Sequence, residues 1–293
     1  MRSKNRLKAI FVSLYATAAA LLSALSAWQL VQYQDMGELH LGWLGAGFAN
    51  VPMALTFAWL LGLRREARTS AGLPIIRVLA SVGIALTLVS VMQEQVGARD
   101  SLIVAIAGLV GFLIYIKWYS VFENRQSEAL EVGGPLPDFS LEDAAGVTVS
   151  SKDFAGKPAL FMFYRGNWCP LCMAQIKEIA ARYREMAERG VEIVLISPQP
   201  HGHTASLAKK FDVPFRFMVD PGNKVAEALG IAAPGGLPLG MEVFGYEQDT
   251  VMPTVVITDS DGVILFADQT DNYRIRPEPD TFLKVLDDQA LKA

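Results

Sequence analysis

Cysteine is nearly absent from this chain of 293 residues, which has only Cys169 and Cys172. Two cysteines cannot build a disulfide framework, and their C-x-x-C spacing points to redox or metal chemistry instead. Histidine is rare too. Residues 1–125 contain no cysteine and a single histidine, His40, which excludes thiol relay through that half and paired haem ligation between its helices. Excess positive charge is also missing: 26 Lys and Arg stand against 30 Asp and Glu, so there is no electrostatic case for nucleic acid. The shortage of charge is concentrated in residues 1–125, whereas residues 126–293 have the charge and the Gly and Pro punctuation of a soluble domain.

Four apolar stretches fill the charge-poor half: Ala9 to Val31, Leu41 to Leu63, Ile75 to Met92 and Leu102 to Tyr119. Each is close to the roughly 20 residues that a helix needs to cross a hydrocarbon core. An α-helical membrane bundle of four transmembrane helices is therefore expected over residues 1–125. The first stretch is long for a signal-peptide core and is followed by three more, so it is read as a retained helix. Arg2, Lys4, Arg6 and Lys8 precede it, and Arg64, Arg65, Arg68 and Arg77 surround the second connection. The connection from Gln32 to His40 has no Lys or Arg, and that from Gln93 to Ser101 has only Arg99. By the positive-inside rule both termini and residues 126–293 are cytoplasmic, in a multi-pass protein of, most naturally, a bacterial inner membrane. Trp28, Tyr33 and Trp43 then mark the outer interface, and Trp118 and Tyr119 the inner one. Gly45, Gly47, Ala49, Gly108 and Gly111 are expected close-packing positions, and Asn50 and Gln93 are suited to interfacial or helix–helix hydrogen bonds. The bundle is read first as an anchor in the lipid bilayer, with small-molecule or quinone binding as the lesser reading.

A charged, then Gly-rich linker over residues 126–134 runs into Gly133-Gly-Pro-Leu-Pro137 and marks a domain boundary. Beyond it, residues 135–293 alternate strand and helix. Strands are expected at Val147–Val149, Leu160–Tyr164, Val191–Ser197, Phe215–Val219, Val255–Thr258 and Val263–Ala267. Helices are expected at Pro170–Arg189, His203–Phe211, Asn223–Leu229 and Asp280–Leu291. That order implies an α/β layer with a mixed sheet. The Gly- and Pro-rich segment from Ala232 to Gln248 reads equally well as a site-shaping loop or a surface insertion.

The stretch Phe161-Met-Phe-Tyr-Arg-Gly-Asn-Trp-Cys-Pro-Leu-Cys172 carries the chemistry. It predicts a buried strand, a turn, and a helix whose N-cap is Cys169 and whose first residue is Pro170. A sulfur at an N-cap faces unpaired backbone N–H groups and the positive end of the helix dipole, which favours thiolate at Cys169. Cys172 lies one turn further in on the same face.

With Ser197-Pro-Gln199, Val219-Asp-Pro-Gly222, Pro253-Thr254 and Asp271-Asn-Tyr-Arg-Ile-Arg-Pro-Glu-Pro279, that stretch resembles the redoxin, or AhpC/TSA peroxiredoxin-like, branch of the thioredoxin-fold superfamily. The similarity covers about residues 133–291. It implies an α/β thioredoxin-like domain in which Cys169 attacks a peroxide or a protein disulfide and Cys172 resolves the product. It also implies an external thiol reductant, thioredoxin- or glutathione-like, with no cofactor and no metal. Pro253 is implied as a cis-proline beside the pair, following Met252, and Trp168 as shielding it. Arg165, Arg274 and Arg276 are sources of positive charge for the Cys169 thiolate, at least one of them being expected as a solvated surface residue. The sequence departs from the family at two points. Peroxiredoxins place Pro and Thr or Ser where Met162 and Gly166 stand, and thioredoxins place a buried Asp where Phe163 stands. Two other readings use the same residues: a structural zinc site of Cys169, Cys172, His201 and His203, and a membrane-tethered redox sensor without turnover.

Overall fold

The structure, a computed structural model, describes residues 1–62 and 66–290. Leu63, Arg64, Arg65 and Leu291, each part of an expectation above, lie outside the described residues. Among the described residues the chain divides into two units, one of residues 10–62 and 69–121 and the other of residues 1–9, 66–68 and 122–290.

The first unit is helical. Its helices are α1 (Arg2–Asp35, whose first residues belong to the other unit), α2 (Leu41–Gly62), α3 (Pro74–Met92) and α4 (Ala98–Ile114), the last continued by a π-helical turn at Tyr115–Tyr119. All four are long and apolar enough to cross a membrane. α1 extends beyond the expected apolar stretch at both ends, because good helix formers flank it. A Cβ on Gly45 would meet the Gly83 carbonyl, on Gly108 the Asn50 side chain and on Gly111 the Tyr15 ring, so these three glycines set close helix approach. Gly47 has nothing near it, and the packing expectation there is corrected. Asn50 Nδ2 donates to Ala46 O at 3.0 Å and to Val104 O at 3.2 Å, tying α2 to α4.

The second unit is an α/β domain. Its strands are β1 (Ser140–Asp143), β2 (Thr148–Ser150), β3 (Ala159–Phe163), β4 (Glu192–Ser197), β5 (Arg216–Val219), β6 (Ala232–Ala233), β7 (Thr250–Val251), β8 (Thr254–Thr258) and β9 (Ile264–Ala267). Its helices are α5 (Pro170–Ala181), α6 (Tyr183–Ala187), α7 (His201–Ala208), α8 (Lys224–Ala228) and α9 (Pro279–Ala290). Seven strands form one mixed sheet in the order β2-β1-β5-β4-β3-β8-β9, and β6 pairs with β7 separately. β3, β4 and β5 run parallel, with Phe163 beside Ile196 and Ser197 beside Val219. β3 and β8 are buried along their whole length, as central strands covered on both faces should be. The helix expected over Pro170–Arg189 is two helices, turning at Arg182, whose guanidinium is shared between Glu185 and Asp280. The parallel strands all end at one edge, which is where an open α/β sheet puts its site.

Candidate active site

The turn between β3 and α5 is held from β4. Tyr164 N–H donates to Ile196 O at 2.9 Å, extending the ladder past the end of β3. Gln199, only 2% exposed, accepts from Asn167 N–H at 2.8 Å and donates to Tyr164 Oη at 3.0 Å and to Thr204 Oγ1 at 3.1 Å. Gly166 has φ +144°, and a Cβ there would be driven into the Trp168 indole. The Thr or Ser that peroxiredoxins place at this position therefore does not fit this turn.

Arg165 Nη2 donates to Gly236 O at 2.6 Å, and its guanidinium lies 4.7 Å from the centroid of the Trp168 ring, a cation–π contact that fixes both side chains. The segment from Ala232 to Gln248 shapes this region. Tyr246 Oη donates to Asn167 Oδ1, and His203 stacks on Tyr246 at 4.5 Å with Nε2 at 3.0 Å from Phe244 O. Beside Trp168 opens a groove of about 540 Å³, lined by Met173, Leu207, Phe211, Met241 and Phe244 among others.

Cys169 occupies the N-cap position of α5, with Pro170 at the start of the helix. Its sulfur makes no capping hydrogen bond. Both cysteines are free and buried, Cys169 at 3% and Cys172 at 0% exposure. Arg276 aims at Cys172: Nη1 and Nη2 stand 3.5 and 3.6 Å from its Sγ, and Nη1 also donates to Gln175 Oε1 at 3.0 Å.

These surroundings separate the two thiols. Burial pushes the Cys169 thiol up, and its hydrogen bond to Cys172 and the charge there add to the rise; Arg276 and Arg165 oppose this without overcoming it. Burial also opposes ionisation of Cys172. There it is outweighed by the hydrogen bond from Cys169, the charge of Arg276, the Arg165 backbone N–H and the Arg276 hydrogen bonds, so the Cys172 thiol is lowered. The Arg276 guanidinium therefore stands at Cys172, and not at Cys169, for which its charge was expected. Arg274 and Arg276 are buried and Arg165 is partly buried, so none of the three is the solvated surface residue expected.

Pro253 is buried between β7 and β8, but no peptide bond among the described residues is cis, which corrects that expectation. The trans form is the favoured one for X–Pro, and the backbone around it is already satisfied. Met252 N–H donates to Ile231 O at 2.8 Å, and Pro253 O accepts from Arg125 Nη2 at 2.7 Å. The zinc reading is also corrected. His201 Nε2 lies 2.8 Å from Glu142 Oε2, His203 is taken up by Phe244 and Tyr246, and among the described residues no three metal-ligating side chains converge.

Sequence reasoning assigned no role to Gln199, Tyr246 or Arg125. Gln199 follows directly on β4, and the end of a parallel strand is a signal that could have found it. Arg125 and Tyr246 carry no such mark.

The family model for the AhpC/TSA family matches residues 132–267. Thiol-disulfide oxidoreductase ResA of Bacillus cereus is 26% identical over 168 residues, 57% of this chain and 83% of that protein. Chloroplastic peroxiredoxin Q of Sedum lineare is 33% identical over 125 residues, 42% of this chain and 67% of that protein. Among solved structures, peroxidoxin BcpB from Mycobacterium tuberculosis aligns with a TM-score of 0.46 and 22% identity over 56% of this chain and 99% of its own.

Proposed function

This chain belongs to the AhpC/TSA family through residues 132–267 and is a thiol-disulfide oxidoreductase or thiol peroxidase, and on that premise we propose that it is membrane-anchored and reduces a peroxide or a disulfide through Cys169 and Cys172. The observation that carries this reading is the pair itself: two free, buried sulfurs at the start of α5, one of them under Arg276, with the adjoining Trp168 lining a groove. The Cys169 sulfur attacks a peroxide, the O–O bond breaks, one oxygen stays on sulfur as sulfenic acid and the other leaves as alcohol or water. Cys172 then attacks that sulfur, the S–S bond forms and water leaves. With a disulfide substrate, the first product is a mixed disulfide and the substrate's two thiols leave in turn. An external thiol reductant, thioredoxin- or glutathione-like, returns the pair to dithiol, since the chain has no third cysteine to do so. Trp168 lines the groove beside Cys169 and is held there by Arg165, and trans Pro253 supports the neighbouring backbone.

The test is turnover. The purified full chain, given hydrogen peroxide, an organic hydroperoxide or a protein disulfide with excess dithiol, is expected to turn over repeatedly on at least one of them. Consumption of none, or a single uptake of oxidant with no recycling, would overturn the reading.

Residues 1–125 are proposed as the anchor, 126–134 as the linker and 135–293 as the redox domain on the cytoplasmic side. The support is an inside-out distribution of side chains. Leu14, Leu21, Trp28, Leu55, Ile75, Val78 and Ile103 are exposed on the helices, while Asn50, Thr87, Ser90 and Ser101 are buried among them. In sealed vesicles, protease is expected to remove residues 126–293 only when the cytoplasmic face is outward. Cleavage in the opposite orientation would reverse the topology.

A further inference from the structure

The first two turns of α1 are built into the α/β unit. Arg2 Nη2 donates to Asp249 Oδ2 at 2.6 Å, Asn5 Nδ2 to Pro234 O at 3.1 Å and Arg6 Nη2 to Gln248 Oε1 at 2.8 Å. These contacts fix the helical wall of a pocket of about 220 Å³, to which α1 contributes Met1, Lys4, Asn5 and Lys8. Spacings of three and four residues put those four on a single face of the helix. The rest of the lining comes from residues 122–124, from β6 and from Met252, the residue before Pro253.

The lining holds two lysines against one carboxylate, Glu123, whose Oε2 lies 2.9 Å from Lys4 Nζ. Its charge is therefore positive, which suits an anion. The sequence also sets its depth. Lys8 is the residue before the apolar stretch that begins at Ala9, and Phe122 is the third after the stretch that ends at Tyr119. With those stretches spanning a bilayer, Lys8 and Phe122 stand at the level of the lipid headgroups, where phosphate is the anion that every phospholipid supplies. The volume falls below the roughly 300–1,000 Å³ of sites that enclose a drug-sized molecule, so a headgroup fits while its acyl chains stay outside.

We propose that this pocket binds the headgroup of an anionic phospholipid of the cytoplasmic leaflet, with its phosphate between Lys4 and Lys8 and its glycerol carbons against Phe122 and Met252. The proposal rests on the membrane reading given above. It is narrower than the general attraction of a basic segment to an anionic surface, because it requires the pocket as well as the charge. Inorganic phosphate is the soluble source of the same chemistry, and the place of Lys8 and Phe122 beside two span ends selects the lipid.

The experiment is native mass spectrometry of the full chain released from detergent micelles that contain equal amounts of phosphatidylglycerol and phosphatidylcholine. One phosphatidylglycerol per chain is expected to be retained in preference to phosphatidylcholine, and to survive millimolar inorganic phosphate. Lys8→Gln is expected to weaken retention about fivefold, the value of one lysine beside anionic lipid. Ala232→Met adds bulk to the lining without altering charge and is expected to abolish retention. Lys117→Gln removes an exposed cation near a span end but outside the pocket, and should leave retention unchanged. Equal retention of the two lipids, displacement by phosphate, or a loss in Lys117→Gln as large as that in Lys8→Gln would overturn the proposal. So would retention that neither Lys8→Gln nor Ala232→Met alters. Should Ala232→Met fail to fold, Lys8→Gln against Lys117→Gln decides. Protease accessibility in sealed vesicles reports the anchor separately: no selective lipid with the anchor intact overturns the pocket alone, whereas cleavage from the other face overturns the topology beneath it.

Discussion

Replacing Cys169 by serine is expected to end turnover, lowering the rate by at least about a thousandfold, because a serine hydroxyl supplies no thiolate-like anion at neutral pH. Cys172→Ser should fail differently. Cys169 remains next to the groove, so up to one equivalent of oxidant is consumed per chain and the reaction stops at a sulfenic acid or mixed disulfide. Stopped-flow consumption of oxidant together with intact mass of each variant separates the two patterns. Multiple turnover in Cys169→Ser would show that another group does the chemistry.

Arg125→Ala is expected to cause the largest loss of stability in the α/β unit. This guanidinium is buried, donates from Nη2 to Pro253 O and Asp268 O at 2.7 Å each and from Nε to Thr270 O at 3.0 Å, and lies over the Phe122 ring at 5.7 Å. Burial lowers its pKa to about 10, which still leaves it charged at neutral pH. Removing it strands three carbonyls, those of Pro253, Asp268 and Thr270. At the cost of unpaired buried groups, the loss is about 3 kcal/mol or more. For a unit of this size that corresponds to a fall in Tm of about 6–12 °C, measured as the unfolding transition of the full chain in detergent. Arg125→Lys should recover little, because an ammonium does not reproduce the spread of a guanidinium across three acceptors. A shift below about 2 °C would mean that water satisfies the carbonyls in its place.

Much of the architecture is legible wherever burial and spacing speak together. The apolar run Leu160–Tyr164 reads as a covered strand and is found as β3 one residue earlier, and Pro170 followed by apolar residues at helical spacing marks the start of α5. The four apolar helices declare themselves by length. Elements with little to bury are missed. Ser140-Leu-Glu-Asp143 has one apolar side chain and becomes β1 only through its neighbours β2 and β5, and β6 and β7 are two residues each. The division of one helix at Arg182 has no glycine or proline to announce it.

At the site, the two sulfurs and their place at the head of α5 follow from local pattern, but the charge that stands beside them does not. A helix start acts on whichever atom points at its free N–H groups, and the Cys169 sulfur makes no such bond. Cys172 takes its partner from 104 positions further along the chain. Arg276 was visible as a charge; which sulfur it serves is set by how the chain between them folds. The same holds for Pro253, whose trans linkage belongs to the strands on either side of it.

The most direct measurement is the covalent state of the pair after the reduced full chain meets one equivalent of its oxidant. The expected product is an intramolecular Cys169–Cys172 disulfide, formed with loss of both thiol hydrogens and reversed by an added dithiol. Recovery of Cys172 as a free thiol beside an oxidised Cys169, or of both thiols reduced with the oxidant gone, would contradict the assignment of this pair as the redox centre.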